Sequence, residues 1–162
     1  MSEAVDLPED ATTVVREFLA ALQIGEIGEA LELVHPDIVW RNTGAPAVRG
    51  RDRVRWVLDK QRAARIDLSA RIEHIAEDHG SVLVERIDDL RFGPLQGSFF
   101  VWARFDIRNG KIVYWHDRYS PAAVIGGVAR GLFDAARGRR GSDAADPPPS
   151  STPVNDGGRG RA

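Results

Sequence analysis

Two segments with strand-like alternation carry acids on a side that is otherwise apolar, and one of them adds an arginine. The first is Val82-Leu83-Val84-Glu85-Arg86-Ile87-Asp88, and the second is Ile112-Val113-Tyr114-Trp115-His116-Asp117. Side chains alternate between the faces of a strand. Val82, Val84, Arg86 and Asp88 therefore share one side, and Val113, Trp115 and Asp117 share a side of the second segment. If these sides face one cavity, two carboxylates and a guanidinium meet there. Buried charge is costly unless it is paired. Such a trio is either a structural ion network or a site for acid–base chemistry.

The elements that must position the trio are legible from periodicity. Val14, Phe18 and Leu22, with Val15 and Leu19 beside them, predict a helix that Asp6 or Asp10 caps and Gly25 ends. Ile27, Ala30, Leu31 and Val34 predict a second short helix that Pro36 stops. Ile38-Val39-Trp40 reads as a strand with Ile38, Trp40 and Asn42 on one side, followed by a Gly/Pro loop from Thr43 to Gly50. Val54, Val57, Leu58 and Gln61 mark a third helix. From Ile66 the period becomes two. A strand is expected from Ile66 onward, carried by Ile66, Leu68, Ala70 and Ile72, up to a turn at Asp78-His79-Gly80, and others over 81–91, 98–107 and 111–119, with a loop from Gly93 to Gly97. Asn109-Gly110 is a two-residue hairpin signal, because both turn positions need positive φ. Pro121 opens a last helical stretch, weakened by Gly126-Gly127. Helices followed by hairpin-linked strands predict an α+β class.

The 162 residues suffice for one domain with a core. We divide them into a flexible N-terminus (1–8), an α+β domain (9–136) and a disordered Arg/Gly/Pro/Ser-rich tail (137–162). A hydrophobic content of 43% with 28% charged residues is that of an ordinary globule. The net charge of −2 gives no support for a nucleic-acid partner. The chain lacks cysteine, which excludes thiol chemistry and suits a reducing, cytoplasmic setting. No apolar run approaches the ~20 residues of a membrane span, and Met1–Asp10 lacks the apolar core of a secretory signal. His35, His74 and His79 show no metal-ligand spacing, so neither metal nor cofactor is expected.

The motifs together resemble the limonene-1,2-epoxide hydrolase family, within the nuclear transport factor-like superfamily. The resemblance rests on Trp40-Arg41-Asn42 with Pro46 and Gly50-Arg51-Asp52, on Glu85-Arg86-Ile87-Asp88 with Leu90, and on Gly110-Lys111-Ile112 leading into Trp115-His116-Asp117. It spans about residues 10 to 135. It implies a strongly curved mixed sheet of about six strands, forming a deep pocket and packed against three to four helices, in a homodimer. It implies a lipophilic epoxide as substrate, and Asp117 as the base that deprotonates water. Asp88 would be the acid that protonates the epoxide oxygen, with Arg86 holding both acids and Asn42 helping to hold the water. The family's water-holding tyrosine is replaced by Trp40, whose indole only donates. The wall implied by the resemblance includes Leu58, Gln61, Leu90, Phe99, Val101 and Tyr119. Gln61, Arg65 and Asp67 stand where the limonene enzyme is apolar.

Blander readings stand beside these. Arg86-x-Asp88 also suits a salt bridge at a sheet edge, Asp117 a solvated strand end, Asn42 a turn, and Trp115 a core position. His116 alternates away from Asp117 and reads as structural or interfacial. The same scaffold hosts SnoaL-like polyketide cyclases, ketosteroid isomerase-like enzymes and non-catalytic lipophile-binding domains. A cyclase or isomerase needs one base and an oxyanion donor, which leaves an arginine between two acids unexplained.

Overall fold

Asp10 starts the first helix, its carboxylate accepting the Thr12 backbone N–H at 3.2 Å. That bond satisfies one of the N–H groups a helix start leaves open. The computed structural model describes residues 10–127, 129 and 130. The segments 1–8 and 137–162 lie outside these residues. Along the chain come α1 (Ala11–Gln23), α2 (Ile27–Glu32), β1 (Val34–Asn42), β2 (Val48–Arg49), α3 (Arg51–Ala63), β3 (Ile66–Asp78), β4 (Ser81–Phe92), β5 (Leu95–Arg108) and β6 (Lys111–Arg118). A further helical stretch covers 121–127.

The strands form one mixed sheet in the order β2-β1-β6-β5-β4-β3. Only β1 and β6 run parallel; every other neighbouring pair is antiparallel. Three hairpins in succession build β3 to β6. Their last turn, Asn109-Gly110, has φ of 49° and 69° as the sequence requires. The amphipathic helices cover one face. Val14, Val15 and Phe18 of α1 and Val54 and Leu58 of α3 pack with Val82, Val84, Phe105 and Trp115 from the sheet. Full burial of each such side chain contributes about 1.5–3 kcal/mol, so the apolar half of each inner strand face anchors the charged half beyond it. The expected α+β class with six strands is present.

Four boundaries differ from the sequence reading. The second helix ends at Glu32, and Val34 opens β1 instead of continuing the helix. Val34 is buried in either state, and the parallel pairing with Ile112 decides between them. Pro36 lies within β1, where the register shifts between Val34 and Val39; a proline is tolerated there because the ladder is already interrupted. The loop after β4 is shorter than Gly93–Gly97, with β5 starting at Leu95. β2 is only two residues long and gave no periodic signal.

Gly126-Gly127 has a structural use. A Cβ on Gly127 would come 2.8 Å from the Ser98 carbonyl oxygen. β6 ends at the Trp102↔Arg118 pair, so β5 from Leu95 to Val101 continues beyond it. The helical stretch approaches that continuation through a residue with no side chain.

Candidate active site

The inner face of the sheet places the trio by register alone. Arg86 lies opposite Val101 and Asp88 opposite Phe99 across the β4–β5 pair. Ala103 lies between Val84 on one side and Asp117 on the other. Asn42 pairs with Asp117, and Trp40 with Trp115, across the parallel β1–β6 pair. Five residues from three of the six strands, Trp40, Asn42, Arg86, Asp88 and Asp117, therefore meet on one surface. All but Asn42 are buried, and Asn42 is half-buried.

Arg86 is 5% exposed, Asp88 6% and Asp117 4%, making them the charged residues of the described core. Arg86 grips Asp88 with two parallel hydrogen bonds, Nε to Oδ1 at 2.7 Å and Nη2 to Oδ2 at 3.0 Å. This two-pronged pairing matches the planar guanidinium to the carboxylate. To reach Asp117, Arg86 must cross β5. Asp117 lies opposite Ala103, a small residue of that strand face, and Nη1 lies 3.1 Å from Asp117 Oδ1. No N–H of Nη1 is aimed along that line, so the contact is one of charge, and Nη1 has no hydrogen-bond partner among the described residues.

Burial is the largest influence on Asp88. It raises the Asp88 carboxyl above the ordinary aspartate range, against the hydrogen bonds and charge of Arg86, with Asp117 pushing it up further. At Arg86 burial opposes the charge, but Asp117 and Asp88 outweigh it and hold the guanidinium above its ordinary value. Tyr119 is raised too, by burial and then by Asp117.

Trp40, Trp115 and Asn42 lie at the parallel β1–β6 seam. The Trp40 and Trp115 rings stack with centroids 4.4 Å apart and planes 11° from parallel. Trp115 donates its indole N–H to Asp117 Oδ1 at 2.8 Å. Trp40 Nε1 is buried and has no partner among the described residues. Thr43 ties the strand ends together. Its backbone N–H donates to the Asp117 carbonyl at 3.2 Å, and its hydroxyl accepts from the Tyr119 N–H at 3.2 Å.

The expected wall residues divide. Leu90, Phe99 and Val101 share the inner face with Asp88 and Arg86, and Tyr119 packs against Phe99 with centroids 5.7 Å apart. Leu58 belongs to the core cluster around Trp40 and Trp115, with Gln61 half-buried one turn along α3. Arg65 and Asp67 are exposed. Asp67 alternates to the face opposite Ala70, the partner of Asp88, so it does not interrupt an inner wall. Two surface hollows of about 240 and 400 Å³ are lined by residues such as Leu83, Trp102, Arg104, Tyr114 and His116. They open on the other face of the sheet and do not include the trio. Sequence reasoning assigned Trp115 to the core alone. Its spacing of two from Asp117 carried the missing signal, because residues i and i+2 share a strand face.

Comparisons with known proteins identify the family and the fold. The family model described as the limonene-1,2-epoxide hydrolase catalytic domain matches residues 9–130. The chain is 32% identical to epoxide hydrolase EphG of Mycobacterium tuberculosis over 118 residues, covering 73% of this chain and 78% of that protein. The solved structure of an M. tuberculosis LEH-like epoxide hydrolase superimposes with a TM-score of 0.74 at 30% identity, covering 79% of this chain and 96% of that one. An NTF2-like protein of unknown function from Burkholderia pseudomallei, 16% identical with a TM-score of 0.67, covers 73% of this chain and 96% of its own and shares the fold.

Proposed function

The chain belongs to the limonene-1,2-epoxide hydrolase family and is an epoxide hydrolase of that type; from that premise we propose that it opens a lipophilic epoxide by direct attack of water. The observation that carries this reading is one buried arginine facing two buried carboxylates, with its Nη1 and the nearby Trp40 indole N–H both lacking a hydrogen-bond acceptor among the described residues. In the proposed step, the water oxygen bonds to an epoxide carbon as the carbon–oxygen bond of the ring breaks. Asp117 takes a proton from the water, and Asp88 gives its proton to the ring oxygen. The product is a vicinal diol, and the proton held by Asp117 returns to Asp88 through the pair or through solvent. No enzyme–substrate bond forms.

Each residue has a role that follows from its chemistry. The raised carboxyl of Asp88 favours the protonated form a general acid needs. Arg86 fixes the two acids relative to each other, so the proton belongs to the pair. Trp40 donates to a water lone pair, leaving Asn42 and Asp117 to accept the two water protons. The second lone pair is then aimed at carbon, and such alignment supplies an orientation contribution. Leu90, Phe99, Val101 and Tyr119 give an apolar wall, with Leu58 and Gln61 behind the seam.

The test is turnover of terpene, fatty-acid and sterol epoxides in ¹⁸O water. Label in the diol and its loss in Asp117→Asn support the reading. Label appearing in the protein after a single turnover means a covalent intermediate and rejects it. Diol formation that survives Asp117→Asn removes Asp117 as the base.

We also propose that two copies pair through the outer sheet face. Phe100 and Trp102 of β5 and Leu83 of β4 are exposed there, with Trp102 57% accessible. Arg41 and Arg118 lie on the β1–β6 side of that face and Glu85 and Asp89 on β4. A two-fold axis near Trp102 sets the arginines of one copy against the acids of the other. Among the described residues no helix is long and apolar enough to cross a membrane.

A further inference from the structure

We infer that Trp115 is a positioning residue that commits one oxygen of Asp117 and so designates the other, Oδ2, as the oxygen that receives the water proton. The inference rests on the hydrolytic reading above and extends it to a residue which that reading leaves in the core.

Asp117 Oδ1 is already engaged twice. Trp115 Nε1–H donates to it at 2.8 Å, and Arg86 Nη1 lies 3.1 Å away. Among the described residues Oδ2 receives no hydrogen bond. An ionised carboxylate offers about four acceptor positions over its two oxygens. Engaging one oxygen fixes the plane of the group and leaves the lone pairs of the other directed into the site. Asn42 is the in-register neighbour on β1, so a water held by Asn42 and Trp40 lies beside the carboxylate.

Trp115 is suited to this because its ring cannot turn. Phe18 meets it edge-on with centroids 5.1 Å apart, Phe105 stacks at 6.0 Å, and Trp40 stacks on it at 4.4 Å. A close-packed ring holds its N–H in one direction, so aromatic packing is transmitted to the orientation of a carboxylate. Core packing alone needs only a flat apolar ring of this size and has no use for the N–H. A phenylalanine or a sulfur isostere separates the two demands.

The experiment replaces Trp115 with phenylalanine and, at the same position, with 3-benzothienylalanine, whose sulfur replaces the N–H at nearly equal volume. The isostere is expected to fold with an unchanged melting temperature and KM while kcat falls by roughly 10²-fold, the effect of misplacing a reacting group. An isostere with undiminished kcat overturns the inference. A ¹H–¹⁵N spectrum of the uniformly labelled full chain gives a reading independent of turnover. The Trp115 indole resonance, assigned by its disappearance in Trp115→Phe, is expected to move upfield in Asp117→Asn. A resonance unmoved in that variant also overturns the inference. If the unaltered protein turns over no epoxide, the hydrolytic reading fails, and the indole resonance alone decides whether Oδ1 is held.

Discussion

Arg86 Nη1 reaches to 3.1 Å from Asp117 Oδ1 across an intervening strand, while the same guanidinium grips Asp88 on its own strand. One cation thus serves two carboxylates, and the stability of the site depends on it. Arg86→Met conserves much of the volume and removes the charge. Breaking a buried ion pair from one side costs about 3–5 kcal/mol, and here two acids are stranded. The cost is greatest where Asp88 is ionised and shrinks as falling pH protonates it. Urea unfolding of Arg86→Met from pH 4 to pH 8 is expected to show stability falling with pH more steeply than in the parent. Parallel curves for the two proteins mean that the trio is not coupled through Arg86.

Arg86 reaches across β5 to Asp117, whose register partner on that strand is the small Ala103. Its inner-face neighbours along the strand are Phe99, Val101 and Phe105, all bulky. Ala103→Leu fills the crossing, and overpacking of this kind costs about 1–3 kcal/mol. It is expected to separate Arg86 from Asp117 and to lower kcat, while Ala103→Ser retains both stability and turnover. Full activity in Ala103→Leu shows that the arginine does not need this route.

Much of this is legible in the sequence, and the exceptions have physical causes. Arg86-x-Asp88 and Arg104-x-Asp106 have identical spacing and nearly identical hydrogen bonds, 2.7 and 3.0 Å against 2.8 and 3.0 Å. One pair is buried and the other is largely exposed. Spacing alone cannot separate them; the preceding Val82 and Val84 do, because they set which face is inward. Asn109-Gly110 was legible because positive φ restricts residue choice. The α2–β1 boundary was not, since Val34 suits a helix period until β6 is there to pair with it. The reach of Arg86 to Asp117 depends on which strands are neighbours, a non-local fact. Gly127 read as a weak helix position, and only its approach to Ser98 explains it.

Asp88 must be protonated to act as the acid, and burial raises its carboxyl above the ordinary aspartate range. A raised value keeps the acid form to higher pH, so kcat/KM is expected to fall as pH rises through that folded-state value. Asp88→Asn keeps a neutral polar group but has no proton to give. Its kcat is expected to drop about 10²- to 10⁴-fold, and the remaining rate should lack the alkaline decline. A pH–rate profile of the two proteins checks this. The same decline in the variant assigns the acid to another group.

Trp102 stands at the centre of the exposed aromatic band and donates its N–H to Glu85 at 3.1 Å. Trp102→Glu puts a like charge beside Glu85 and removes the large apolar contact. Sedimentation velocity is expected to show the parent as a dimer and Trp102→Glu as a folded monomer. A parent that sediments as a monomer at all concentrations rejects the outer face as a self-association surface. A variant that remains dimeric places the interface elsewhere.

In the proposed reaction Trp40 holds the attacking water through a side chain that only donates. Its Nε1 is buried with no partner among the described residues, and leaving such a donor unmatched costs about 1–3 kcal/mol. Removing the N–H while keeping a ring over Trp115 should therefore hurt stability less than it hurts turnover. Trp40→Phe is expected to melt within a few degrees of the parent and to lose roughly 10²-fold in kcat, with KM little changed because the water, not the epoxide, is misplaced. Trp40→Tyr restores a donor on a ring that still covers Trp115, and turnover should recover with it. Steady-state kinetics beside thermal unfolding separates the outcomes. Equal kcat in Trp40→Phe and the parent means the attacking water is held by Asn42 and Asp117 without the indole.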